Sequence, residues 1–293
     1  MGCCNNIKHE LLHASMYDLS EPIASAGDAG DSSEPTTKTL DIERTFAPRP
    51  HLLFVGIKFS CAVWFFASLV VGTLEFNPTP GFFYAFLSAW GLVFSVLYFI
   101  CSFMSAAVLA FHPRGEDEEA LTGKSGILVK TTWTLFSLTF PFELVITVLY
   151  WVLVYDGYIG YSSLIQHGIA WIVIGIDGIL INRIPMRMKQ FIFCETIAIC
   201  YLVWSVLHSV LNVGTPWDEE GESGPIYDSV DWKNETGFTV GLVLALLFIG
   251  NPITYLFCRA LSRALPMRYC NDDSVETHKD EETLEVSAKE SGQ

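Results

Sequence analysis

The sequence predicts an all-α polytopic membrane protein: a six-transmembrane-helix bundle with disordered cytoplasmic tails. Three observations predict it. Apolar residues make up 51% of the 293 residues, charged residues only 17%, and mean hydropathy is +0.38, a balance too apolar for an ordinary soluble domain. Six stretches reach the roughly 20 residues that a helix needs to cross about 30 Å of hydrocarbon. The formal net charge of −15 falls mostly in two tails and two polar loops, so the apolar stretches stay almost free of acids. An acidic chain of this kind repels phosphate backbones, which excludes nucleic acid as an expected partner.

In chain order, residues 1–50 come first. Rich in Ser, Thr, Gly, Asp and Pro, they cannot bury a core and are expected to form a disordered cytoplasmic tail. They open on Met1-Gly2-Cys3-Cys4, which resembles a dual-acylation signal on Gly2, Cys3 and Cys4, with Asn6 where the motif takes Ser or Thr. The membrane domain, 51–265, follows. Its spans run from His51 to Phe76, Gly81 to Phe111, Gly126 to Tyr155, Ser163 to Ile184, Met188 to Val213 and Gly237 to Leu265. In the third, Pro141 is expected to kink the helix and free a carbonyl beside Glu143, making room for a polar pocket. In the sixth, Asn251-Pro252 is a helix break. The acidic segment 266–293 is expected to be a second disordered cytoplasmic tail.

Orientation follows from the basic residues, which are retained on the cytoplasmic side. Arg44, Arg49, Arg114, Lys124, Arg183, Arg187, Lys189, Arg259, Arg263 and Arg268 all fall on one side, whereas the three opposite loops hold only Lys233. Both termini are therefore expected in the cytoplasm, of a cell whose plasma membrane and endomembranes fit the pattern equally. The sequon Asn234-Glu235-Thr236 falls on the opposite side, as a glycan acceptor must. None of the eight cysteines falls in a predicted non-cytoplasmic loop and none shows zinc spacing, so neither a disulfide framework, a metal site nor a cofactor is expected.

Ionisable side chains at membrane depth face a bundle interior or a wet cavity. Lys58, Lys130, Asp177 and Glu195 fall in the cytoplasmic halves of their spans, where ion pairing or snorkelling would make them structural. Ser88, about 10 Å inside span two, and His167, about 6 Å inside span four, fall at one depth on the other side, and His208 approaches that level from span five. A hydroxyl beside a neutral imidazole is the minimum of an activated nucleophile; a serine bonded to its own helix is the commoner use of the same residue.

Several short segments then look familiar. Phe86-Leu87-Ser88-Ala89-Trp90-Gly91-Leu92, Phe140-Pro141-Phe142, Tyr150-Trp151, His167-Gly168, Tyr201-Leu202-Val203-Trp204 with His208, Pro225-Ile226-Tyr227 and Asp231-Trp232 resemble the androgen-induced protein family, and more closely its rolling stone-like branch, over Leu52 to Leu261. The resemblance implies an intramembrane hydrolase of fatty acid esters of hydroxy fatty acids with a Thr nucleophile and a His. Ser88 stands in the nucleophile's place and His167 in the histidine's, with Gln166 where the family has Asn. His167 would take the Ser88 proton, with Asp156 or His208 as candidates to orient it. The alternative implied by the rolling stone-like branch is a non-catalytic membrane protein in cell fusion, adhesion or membrane organisation. Expected partners are membrane lipids.

Overall fold

The computed structural model describes residues 52–76, 79–111, 118–155, 157, 160–216, 218 and 223–264. The expected tails, 1–50 and 266–293, the acylation signal and Asp156 lie outside the described residues. Within them the chain is helical, with six helices long and apolar enough to cross a membrane. These are α1 (Leu52–Glu75), α2 (Leu87–Phe111), α3 (Glu118–Leu149, continued by a π-turn at Tyr150–Val154), α4 (Tyr161–Ile181), α5 (Phe191–Val210) and α6 (Thr236–Ala264). An even number of crossings brings both ends of the bundle to one face, the terminal face; the segment 213–235 lies on the opposite, loop face.

The boundaries hold within a few residues except at span two. Pro80–Ala85 forms a separate 3₁₀ turn and Phe86 is extended (φ −81°, ψ 143°), so the α-helix starts only at Leu87. Ser88 therefore occupies the first turn of α2 instead of lying about two turns inside it. The break is held from outside. The Ala85 carbonyl accepts Tyr201 Oη (3.1 Å) and Trp204 Nε1 (3.2 Å) from α5, and the Tyr84 carbonyl accepts Trp90 Nε1 (3.0 Å). Carbonyls that an α-helix would have used are thus satisfied by side chains.

The core lies between α1, α2, α3 and α4. Association of apolar helices in lipid depends on close packing and polar links, because no water is expelled between them. Both devices are present. On α4, Gly175 and Gly178 receive the rings of Phe140 and Phe136, which form a stacked column with Trp171 at centroid spacings of 5.3 and 5.5 Å. A Cβ on Gly178 would lie 1.9 Å from Phe136 Cε2, and a ring stacked on both sides has nowhere to move. Gly178→Ala is accordingly expected to cost about 1–3 kcal/mol through overpacking, seen as a lower midpoint of thermal unfolding in detergent. Gly56→Ala, where nothing lies within 4 Å, serves as the comparison, and equal midpoints for the two variants would refute the packing role.

The polar link is a buried ion-pair network near the terminal face. Lys58 of α1 donates to Asp177 of α4, to Ser102 of α2 (2.7 Å) and to Asn182 (3.2 Å). Asp177 Oδ2 in turn accepts Tyr98 Oη (2.7 Å), Ser102 Oγ (2.9 Å) and Asn182 Nδ2 (3.0 Å). All three ammonium donors are used, and the structural reading of Lys58 and Asp177 holds.

Pro141 removes the N–H that would have bonded the Ser137 carbonyl. That carbonyl faces the Cys194 thiol of α5 at 3.5 Å, while Ser137 Oγ donates to Gln190 Oε1 at 2.9 Å. Glu143, one turn on, packs against Gly91 of α2 and accepts Ser95 Oγ at 2.7 Å. The space freed by the proline is filled by α2 and α5, and no polar pocket forms around Glu143. In α6 a π-turn at Leu246–Gly250 immediately precedes Asn251-Pro252, absorbing the break expected there. It divides the helix in two: Asn251–Ala264 packs on α3 and α5, whereas Thr236–Gly250 buries only Thr239 and packs broadly on no other helix.

Candidate functional site

The sparse packing of upper α6 leaves a cavity of about 900 Å³ on the loop-face side, lined by α2 to α6 and by the segment 224–230. Its walls are apolar where α3 and α6 face one another, through Val145, Ile146 and Leu149 against Leu242, Val243 and Leu246. Because the upper halves of these two helices do not pack broadly on each other, the apolar part of the cavity borders the lipid-facing side of the bundle. Polar groups gather elsewhere along its lining: Ser88, Gln166, His167, Ser205 and Tyr227. A largely apolar pocket with a few convergent polar groups is the usual form of a small-molecule site.

Ser88 and His167, the two residues singled out in the sequence, both line this cavity. Each is held by a neighbour from another element. The Tyr227 hydroxyl accepts the Leu87 N–H at 3.1 Å and lies beside the amide and hydroxyl of Ser88. These are first-turn amides that the helix itself leaves unpaired. Burial pushes the Tyr227 phenol up to about 12, against the pull of the Leu87 amide, so this group remains a proton donor at neutral pH.

His167 sits in a π-turn, Ile165–Ile169, with non-helical dihedrals (φ −118°, ψ 21°). Single π-turns inside α-helices recur at functional sites, since they re-aim a side chain at the expense of backbone regularity. The imidazole stacks on the Tyr150 ring at a centroid distance of 3.7 Å and an interplanar angle of 7°. Its carbonyl accepts Trp151 Nε1 at 2.7 Å. His167 Nδ1 is buried with no hydrogen-bond partner. The two side chains thus share one cavity but no hydrogen bond with each other.

His208 is not part of this group. Its Nε2 lies 2.9 Å from the Gly214 carbonyl and its ring packs edge-on to Phe82 and Trp204, both at 6.0 Å. It anchors the start of the loop instead of orienting His167. Asp218 continues that anchoring. It accepts the Thr215 N–H, the Thr215 hydroxyl (2.6 Å) and the Gly224 N–H (2.8 Å). Burial works against its ionisation, but these donors outweigh it and hold the carboxyl below its ordinary range. Further along, Asp231 accepts the amides of Lys233 and Asn234, its carbonyl accepts Thr239 Oγ1 at 2.9 Å, and Trp232 Nε1 reaches Ser205 Oγ at 3.2 Å.

Tyr150, Trp151, Tyr201, Trp204, Tyr227 and Trp232 carried no assigned role in the sequence. The structure puts all six around Ser88, His167 or the loop above them. Their signal was present as spaced Tyr-Trp, Tyr-x-x-Trp and Asp-Trp pairs, aromatic residues whose polar tips need a partner when buried.

Fold and site together define the class: a polytopic membrane protein with an intramembrane cavity suited to amphiphiles. A family model described as Rost, Protein rolling stone, matches residues 51–269, and the chain belongs to the rolling stone family. Protein rolling stone of Drosophila melanogaster is 23% identical over 209 residues, 68% of this chain and 69% of that protein. No solved structure matches the chain. The comparisons bear out the rolling stone-like branch of the resemblance noted above.

Proposed function

We propose that the protein is an intramembrane hydrolase of long-chain acyl esters, with Ser88 as nucleophile and His167 as general base. The observation that carries this reading is that both side chains line one cavity whose apolar walls border the lipid. An ester linked partway along an acyl chain, as in a fatty acid ester of a hydroxy fatty acid, would meet both groups without leaving the membrane. The unpartnered His167 Nδ1 is free to accept the Ser88 proton, and a short approach of the two on substrate binding is ordinary for catalytic pairs that stand apart in the empty site. Ser88 Oγ then attacks the carbonyl carbon, the alcohol leaves with the proton from His167, and water, deprotonated by His167, releases the acid from the acyl-serine. The Tyr227 hydroxyl, beside Ser88, is placed to donate to the oxyanion.

The test is turnover of a long-chain ester by the purified full chain in lipid nanodiscs. Hydrolysis that disappears in both Ser88→Ala and His167→Ala supports the pair; full turnover in either variant removes it. One observation favours a second reading, a non-catalytic lipid-binding protein of membrane organisation or cell fusion: the Ser88 hydroxyl lies beside Tyr227, and no hydrogen bond joins it to His167. Saturable lipid binding with no turnover by the wild-type protein selects that reading.

In this proposal the loop face is non-cytoplasmic and both termini are cytoplasmic, supported by the one-sided Lys and Arg distribution. An epitope tag after Pro78 is expected to be accessible from the non-cytoplasmic side of sealed membranes, and tags at either terminus only after permeabilisation. The reverse accessibility would overturn the orientation.

A further inference from the structure

The charges around the cavity are one-sided. Glu75 at the end of α1, Asp218 and Asp228 line it, and among the described lining residues there is no Lys or Arg. Lys233, the single basic residue between Gly214 and Thr236 against seven acidic ones, is not a lining residue. Its ammonium donates instead to Asn212 Oδ1 and Ser223 Oγ, both at 2.7 Å. The other polar groups on the lining, among them Ser162, Ser163, Gln166, Ser205 and Tyr227, hydrogen-bond without formal charge. An ester carbonyl or a hydroxyl needs one or two such partners. A carboxylate needs a cation, and near three carboxylates in a water-poor site it meets repulsion that bulk water would have screened.

We infer that the occupant of this cavity is an acyl ester with an uncharged head, and that the cavity rejects the corresponding free fatty acid. The inference deepens the lipid-ester reading and rests on it for the identity of the reacting group. It narrows the substrate: a hydroxy-fatty-acid ester enters with its own carboxyl esterified, as an acylglycerol for example, not as the free acid. It also gives the reaction a direction of release. Water and a neutral ester become an alcohol, a proton and a carboxylate, and that carboxylate is the one species the lining disfavours.

The full-length Ser88→Ala protein and the wild type, each in nanodiscs of zwitterionic lipid, provide the test. The probes are a 1-monoacylglycerol and a free fatty acid with the same acyl chain and a mid-chain diazirine, and the readout is photolabelling of the cavity residues mapped by mass spectrometry. At equal membrane concentration the monoacylglycerol is expected to label about tenfold more than the acid, the ratio that a single like-charge contact readily supplies. Glu75→Gln combined with Asp228→Asn is expected to raise labelling by the acid and leave labelling by the ester unchanged. Equal labelling, preference for the acid, absence of labelling by the ester, or no response to the double substitution would each overturn the inference. Because labelling is read on a protein lacking the nucleophile, failure of the hydrolysis assay and failure of this selectivity are separate results.

Discussion

Lys58→Met is expected to destabilise the bundle by about 3–5 kcal/mol, the usual result of removing one partner from a buried ion pair. Lys58 and Asp177 are both buried, and the carboxylate left behind would retain Tyr98, Ser102 and Asn182 as donors but no countercharge. The loss arises from the stranded charge, not from a missing attraction, so it is recoverable. Lys58→Met with Asp177→Leu replaces both charges by apolar groups of similar size and is expected to regain most of the stability. Unfolding in mixed micelles distinguishes the outcomes: a single variant as stable as the wild type, or a double variant worse than both singles combined, would show that the network does not hold α1, α2 and α4 together.

Ser88→Ala and His167→Ala are expected to lower turnover of a neutral long-chain ester by at least about 10²–10⁴-fold each, the contribution of a positioned base and its nucleophile. Because the two act as one unit, the double variant should be scarcely worse than either single. Tyr227→Phe removes a hydroxyl that stays protonated at neutral pH and lies beside the nucleophile. Loss of an oxyanion donor costs about 10²–10³-fold in kcat, and here it should leave KM nearly unchanged. If Tyr227 serves only to pack the loop, the same substitution would leave kcat intact, since the ring contact with Phe86 at 5.7 Å remains. Multiplicative losses in the Ser88/His167 double variant would show that the two residues do not act together.

Both the span count and the position of Ser88 bear on how far the residues alone could be read. Six apolar segments of membrane length are a property of composition along the chain, and they survive folding because a backbone in hydrocarbon has no option but to bond to itself. The pairing of Lys58 with Asp177 was foreseeable for a similar reason, as charges of opposite sign at one depth have few other partners. The start of α2 was not. Nothing in Pro80-Gly81-Phe82-Phe83-Tyr84-Ala85 separates an apolar helix from an apolar 3₁₀ turn; the break is stabilised by Tyr201 and Trp204, more than a hundred residues away. The role given to His208 failed likewise, because its partner is the Gly214 carbonyl, a backbone atom whose direction only the folded loop sets.

By itself, then, the sequence determined the class of protein, the number of crossings and the depth at which a hydroxyl and an imidazole would lie, since these depend on hydrophobic length and on residue type. Only the tertiary structure decided that Ser88 and His167 face one cavity, that Tyr227 reaches down to the helix end beside the hydroxyl, and that upper α6 stands apart to leave the space between them. Those outcomes rest on which side of each helix meets which neighbour. An apolar helix in lipid carries no hydrophobic stripe to announce that side, so its facing is settled by packing and by a handful of long-range hydrogen bonds.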